Sequence, residues 1–423
     1  MKNKAVNFLN GIFLFFFFLL FSGCSDAIGP IHKNEENERE ELMVTMYITD
    51  QSVQHTYLDI SKTFEQVHPN IKVNLIFPGF DYEDVLKIKI ASHDLPDIFD
   101  THGWTKRRYG KLLMDLSGEK WAQQLSDSMK IAVTDTDGAV YALPISEARD
   151  GLSYNVNVLK KYHIQIPRTF TELMQAAESI KQESGGQVIP FFFAGANRWT
   201  IGQYFDYMAN SLYVSTSDNE FAELENGILN KSKWVWIAKT WKEMLQKGYI
   251  NEDFAKAKYS DLPELFASDK VAFTFSSPSF ANDVYQLNAE TVIGIMPIPA
   301  MQEHDEPSFA GGERNTMGIW KGSLHKEAAR LLLDFYAKPE NMSKIANATK
   351  LPAGLKHIQA SHEFVSFYEK YAQTRIFPYF DRVYLPSGMW DIMSNEGLDV
   401  LVNHMSPDEF ADNMQTNMKR LRQ

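Results

Sequence analysis

The chain of 423 residues exceeds what one ordinary hydrophobic core accommodates and points to two globular units. With 44% hydrophobic and 23% charged residues, its composition is unexceptional for a soluble protein able to bury sizeable cores. The formal net charge of −12 argues against nucleic acid as a partner and otherwise bears on solubility.

At the N-terminus, Lys2 and Lys4 precede an apolar run from Ile12 to Phe21, which is too short to span a bilayer comfortably and is followed by Ser22 and Gly23. This is the pattern of a secretory signal. Cys24, the single cysteine, comes directly after Phe21, Ser22 and Gly23, a sequence that resembles the lipobox of bacterial lipoproteins. Phe21 stands where that box usually has an aliphatic residue. The resemblance implies cleavage before Cys24, lipidation of its thiol, and a protein anchored on the extracytoplasmic face of the cell membrane. One cysteine allows no intrachain disulfide, so stability must come from packing. The tract IGPIHKNEENEREE that follows is charge-dense, lacks apolar periodicity and reads as a flexible tether.

From Leu42 the pattern becomes globular. LMVTMYITD reads as a strand, and Val53, Tyr57, Ile60, Phe64 and Val67 recur in steps of four and three, marking one face of a helix. The stretch from His68 to Asn70 stops that helix, and Ile71, Val73 and Leu75 alternate with polar residues as a second strand. Strand, helix and strand make a right-handed parallel unit, hence an α/β sheet. Asp81 to Ala91 reads as a helix and Leu95 to Phe99 as a strand, with Asp100 to Trp104 just past its carboxyl end, where open α/β sheets bind ligands.

Gly138 to Asn155 reads as two short strands joined by a polar segment holding Ser146, Glu147, Arg149 and Asp150. Burying Glu147 or Arg149 without a partner would cost several kcal/mol, so the segment is expected to be a wet, ligand-facing hinge between two lobes. Beyond it, Thr169 and Glu172 form a capping box for a helix to about Ser184, and VIPFFF supplies a strand of a second sheet. Trp234, Ile237, Trp241, Met244 and Leu245 mark an amphipathic helix ended by Gly248, which makes both tryptophans core residues. Val271 to Phe275 and Val292 to Met296 read as strands. Pro297 to Glu313 reads as a second passage between lobes, Thr316 to Trp320 as a strand returning to the first, and helices follow at about Lys326 to Ala337 and Pro339 to Ala348.

The segments FEQVHPNIKV, IASHDLPDIF, DGAVYALPIS, SYNVNVLKKYHIQIPRTFTEL, FASDKVAF, the pair Gly311 and Gly312, and EAARLLLDF before Leu351 occur in one order behind the lipobox. From Leu42 onward that order resembles the extracellular solute-binding proteins of carbohydrate ABC importers, family 1, the maltose-binding-protein type. The resemblance implies a two-lobed periplasmic-binding-protein-like α/β fold of class II, with two or three hinge crossings. It implies residues 1–23 as signal peptide, 24–41 as lipidated cysteine and tether, 42–145 with 300–338 as N-terminal lobe, and 146–299 with 339–423 as C-terminal lobe. It further implies a monomer that captures a sugar or oligosaccharide, delivers it to permease subunits, and uses no cofactor, metal or catalytic residue.

A sugar offers apolar C–H faces and a rim of hydroxyls, so its site needs aromatic rings together with carboxylates, amides and arginines. On the family's pattern, Asp50 and Gln51 fall in the loop after the first strand, Trp104 in the loop after PDIF, and Glu147, Asp150 and Tyr154 at the first crossing. Trp199, Phe280 beyond the SSPS turn, Gly312, Glu313 and Trp390 complete the expected ligand-binding set. Asp50 equally suits a helix cap, and Arg149 and Arg314 suit inter-lobe salt bridges that contribute little. The alternatives are a binding protein for ferric ion, a polyamine or a peptide, and a secreted glycan-active enzyme. The sequence contains no HExxH, GxSxG, Walker or GxGxxG pattern that would favour catalysis.

Overall fold

The computed structural model describes residues Arg39 to Arg422. The signal segment, Cys24 and the tether as far as Glu38 lie outside the described residues. Among the described residues ten strands form two sheets, and none of the helices is long and apolar enough to cross a membrane.

Strand β1 (Glu40–Thr45) alternates, with Leu42 and Val44 buried while Glu41 and Met43 are exposed. Strands β2 (Ile71–Ile76) and β3 (Ile98–Asp100) flank it in parallel. The intervening helix, Gln51–Val67, turns Val53, Tyr57, Ile60 and Phe64 inward, as their spacing predicts. Each such large side chain contributes roughly 1.5–3 kcal/mol by burial. Val67, expected on the same face, is 58% exposed because the helix ends at His68.

The first lobe covers this sheet on both faces. Helices Gln51–Val67, Lys326–Tyr336 and Pro339–Thr349 bury Tyr57, Leu332, Tyr336, Met342 and Ile345 on one side. On the other, helix Tyr82–Ala91 and the segment as far as Leu113 bury Tyr82, Leu86, Phe99 and Tyr109. Helix Pro339–Thr349 therefore packs in the first lobe rather than the second. Met342 and Ile345 of its apolar face join the first core, as does Leu355, so the expected boundary at residue 338 falls too early.

Between β3 and the second sheet runs β4 (Leu143–Asp150), followed directly by β5 (Leu152–Asn155). The second sheet adds β6 (Ile189–Phe191), β7 (Val271–Thr274) and β8 (Ile293–Met296), in the order β6-β7-β5-β8. Its core holds Trp234 and Trp241, both fully buried on helix Lys231–Gln246 as their spacing predicts, against Phe193, Tyr213 and Phe410. The capping box of Thr169 and Glu172 starts helix Phe170–Glu183.

Two strands carry the chain between lobes. β9 (Ser308–Ile319) pairs antiparallel with β4 from Met317 opposite Leu143 to Ala310 opposite Asp150, and its first residues pair with β10 (Arg375–Pro378). The polar segment expected to join two short strands as a wet hinge is thus itself part of a buried strand. The register shifts beside Ser146, and Gly312, opposite Ala148, has φ +115°, a conformation that an L side chain rarely adopts. A third passage follows Thr349, where the Pro352 carbonyl accepts the Glu147 N–H at 2.8 Å before the chain reaches Phe364 in the second lobe.

Candidate functional site

The carboxyl ends of β1 and β3 place two loops over the β4–β9 crossing. After β1, Asp50 caps helix Gln51–Val67, accepting from the Ser52 N–H at 2.7 Å and the Val53 N–H at 3.2 Å. Burial opposes its ionisation, but these donations outweigh it and hold the carboxyl below its usual range, with Asn282 of the second lobe adding to them. Gln51 is exposed beside it.

After β3 the loop is built on buried polar bonds. Asp100, fully buried, accepts from Asn315 Nδ2 at 3.0 Å, the Thr316 N–H at 3.0 Å and the His102 N–H at 2.9 Å, and burial pushes its carboxyl up to about 6. The His102 ring stacks on Tyr47 at 4.1 Å, with Nδ1 3.1 Å from Glu83. Burial pulls His102 down to about 4, so near neutral pH it is an uncharged imidazole donating to the carboxylate. Glu313, on β9, is buried and accepts from the Thr105 N–H at 3.0 Å, from the Thr101 hydroxyl at 3.1 Å and from the Thr105 hydroxyl. Burial raises its pKa, and its two oxygens are spent on fixing the loop that carries Trp104. Trp104 itself is half-buried, with the Arg108 guanidinium 4.0 Å from its ring and Arg108 held by Glu83 at 2.7 Å.

The floor of the cleft is the crossing. Glu147 is 2% exposed yet fully answered, by Arg149 at 3.1 and 3.3 Å and by the Ser128 hydroxyl. That pairing is why the chain can bury it, contrary to the expected wet position. Asp150, also 2% exposed, accepts through Oδ2 from Tyr207 at 2.8 Å and Tyr379 at 2.5 Å, with Arg314 at 3.5 Å. Its Oδ1 is buried without a protein partner.

On the second lobe, Trp199 is half-buried and meets Tyr259 edge-on at 4.9 Å, and Tyr259 in turn lies 3.2 Å from Ser276 Oγ. Trp390 is half-buried against helix Arg198–Tyr213. Two expected residues are core instead. Tyr154 is 5% exposed with its ring edge-on to Phe367, and Phe280 is 3% exposed against Phe266 at 4.9 Å. Both follow from position, because β5 is central in its sheet and Phe280 closes a short helical turn onto the core.

Of the expected residues, Asp50, Gln51 and Trp104 lie past the carboxyl ends of first-lobe strands, Glu147, Asp150, Gly312 and Glu313 on the paired β4 and β9, and Trp199 and Trp390 on second-lobe helices. Outside the expected set, Tyr47 stacks on His102, Tyr207 and Tyr379 donate to Asp150, and Arg382 approaches Trp104. His102 lay within the flagged stretch after PDIF, whereas the others carried no local pattern. The lobes also touch across the cleft, with Arg107 3.0 Å from Glu225 and Arg108 3.3 Å from Ser387. Among the described residues no group of three or more His, Cys, Asp or Glu side chains could hold a metal ion. Aromatic rings, paired charges and exposed amides can stack on and hydrogen bond to an uncharged polyhydroxyl ligand.

Two α/β lobes joined by continuous strands, with such a cleft at the junction, define a two-lobed solute-binding protein. The family model described as bacterial extracellular solute-binding protein matches residues 51–343, and the chain belongs to that family, on the extracytoplasmic side of the membrane. The resemblance read from the motif order is borne out. The chain is similar to the melibiose/raffinose/stachyose-binding protein MelE of Bacillus subtilis strain 168, at 37% identity over 413 residues, covering 97% of this chain and 96% of that one. A Bacillus licheniformis sugar transporter, solved in complex with stachyose, is 41% identical with a TM-score of 0.83, over 90% of this chain and all of the other. A Bacillus subtilis binding protein solved in an open conformation is 37% identical with a TM-score of 0.86, over 92% of this chain and 98% of its own.

Proposed function

We propose that the protein captures galactosyl oligosaccharides of the melibiose, raffinose and stachyose series between its lobes and hands them to the permease of an ABC importer. The observation that carries this reading is the 41% identity to a transporter protein solved with stachyose, extending over both lobes. The cleft chemistry supports it, since its carboxylates are already paired or hydrogen bonded and Trp104, Trp199 and Trp390 offer rings to the apolar faces of pyranoses. In this reading Gln51, Asp50 and Asp150 supply polar contacts, while Glu147, Gly312 and Glu313 shape the crossing and the Trp104 loop. Closure follows from contacts on both walls, because only a ligand that favours the closed state shifts that equilibrium. The protein works as a monomer, without turnover of its cargo.

Thermal unfolding of the protein from Arg39 onward tests the cargo. Raffinose and stachyose are expected to raise the transition by several degrees, since a ligand at a hundred times its Kd adds about 2.7 kcal/mol to the native state. A rise only with ferric salts, polyamines or peptides would sink the carbohydrate reading. The lipid anchor is proposed from Cys24 and the signal before it. The Cys24→Ser variant should leave the membrane fraction and appear in the medium or remain as precursor, and unchanged membrane retention of processed protein would contradict the anchor.

A further inference from the structure

Arg382 stands apart from the other cations of the cleft. Arg314 is paired with Asp150, Arg108 with Glu83, and Arg149 with Glu147. Arg382 makes no salt bridge among the described residues, and its Nη1 is buried without a hydrogen-bond partner. Its guanidinium carbon lies 4.2 Å from the Tyr379 ring centroid in its own lobe and 5.7 Å from that of Trp104 in the first. Opposite it is Gly103, at φ +87°, where a Cβ would fall within the guanidinium itself. The first lobe thus leaves out a side chain where the second inserts an arginine.

The arginine is also held firmly. It sits on helix Phe380–Tyr384, whose first N–H groups are capped by buried Asp206, from Phe380 N at 3.2 Å and Asp381 N at 2.7 Å. A guanidinium N–H taken out of water without a partner is costly, and an acceptor oxygen brought to it by a ligand would remove that cost. The carboxylates of Glu83, Asp206, Glu313 and Asp381 feel its charge from beyond salt-bridge distance, and the two aromatic faces cannot accept that hydrogen in the plane of the group. Neighbouring hydroxyl oxygens of a pyranose match the planar donor fork, which a lysine lacks.

We infer that Arg382 is a specificity-determining residue that donates Nη1 to sugar hydroxyl oxygens beside Trp104 and, by seating against Gly103, couples that contact to closure of the lobes. The ligand half of this inference rests on the proposed carbohydrate function, and the closure half does not. Arg382→Ala and Arg382→Lys, made in the protein from Arg39 onward, separate the two. Calorimetric titration with raffinose and stachyose should show affinity weakened about tenfold or more in the alanine variant, with partial recovery in the lysine variant. Small-angle scattering of the sugar-free alanine variant should give a larger radius of gyration than the parent, while circular dichroism confirms an intact fold. Unchanged affinity in the alanine variant would overturn the inference. If the parent binds neither sugar, the cargo reading fails first, and the scattering comparison alone then decides, with an unchanged radius overturning the role in closure.

Discussion

Replacing Asp150 with alanine is expected to lower the free energy of unfolding by about 3–5 kcal/mol, the usual cost of removing one partner of a buried ion pair. The loss falls on one point of the crossing, because Tyr207, Tyr379 and Arg314 converge on Oδ2 from three different elements. Two phenols and a guanidinium would be left without their acceptor beneath the cleft. Asp150→Asn keeps an oxygen for the tyrosines but loses the charge facing Arg314, so it should cost markedly less. Urea unfolding followed by tryptophan fluorescence measures both variants. A midpoint unchanged in the alanine variant would show that this network does not secure the crossing.

Trp104→Ala is expected to weaken binding of raffinose or stachyose by about 2 kcal/mol, roughly 30-fold, with little change in stability. The size of the effect comes from preorganisation. Arg108 lies 4.0 Å from the indole and is itself fixed by Glu83, while Glu313 ties down Thr101 and Thr105 on either side of it, so the ring has little freedom left to lose when a sugar stacks on it. Trp104→Phe should recover part of the affinity. Titration calorimetry reads the difference directly, and equal affinity in the alanine variant would remove Trp104 from the site.

The elements whose residues answer to their immediate neighbours were legible in the sequence. Helix Gln51–Val67, the capping box of Thr169 and Glu172, and the burial of Trp234 and Trp241 all follow from spacings within a few residues. The crossing was legible as a position but not as a structure. Its run of Ser146, Glu147, Arg149 and Asp150 looked too polar for a buried strand, because spacing alone does not pair Glu147 with Arg149 and the groups that answer Asp150 lie far along the chain. Tyr379, which donates to Asp150, is 229 residues away. The same distance hid the approach of Tyr379 to Asp150 and of Arg382 to Trp104. Tyr154 and Phe280 failed in the opposite direction, since an aromatic residue beside a turn looks alike in sequence whether its ring faces solvent or core. Helix Pro339–Thr349 was assigned to the second lobe because its amphipathic pattern tells which face is buried and not against what.

The central claim is that one sugar is held between the two lobes, touching both. Crystals of the protein grown with stachyose test it most directly. The expected result is an oligosaccharide over the β4–β9 crossing, with a pyranose ring against Trp104 on one side and contacts to Trp199, Trp390 or Arg382 on the other. Stachyose bound outside the cleft, or to one lobe alone while the lobes stay apart, would contradict the account.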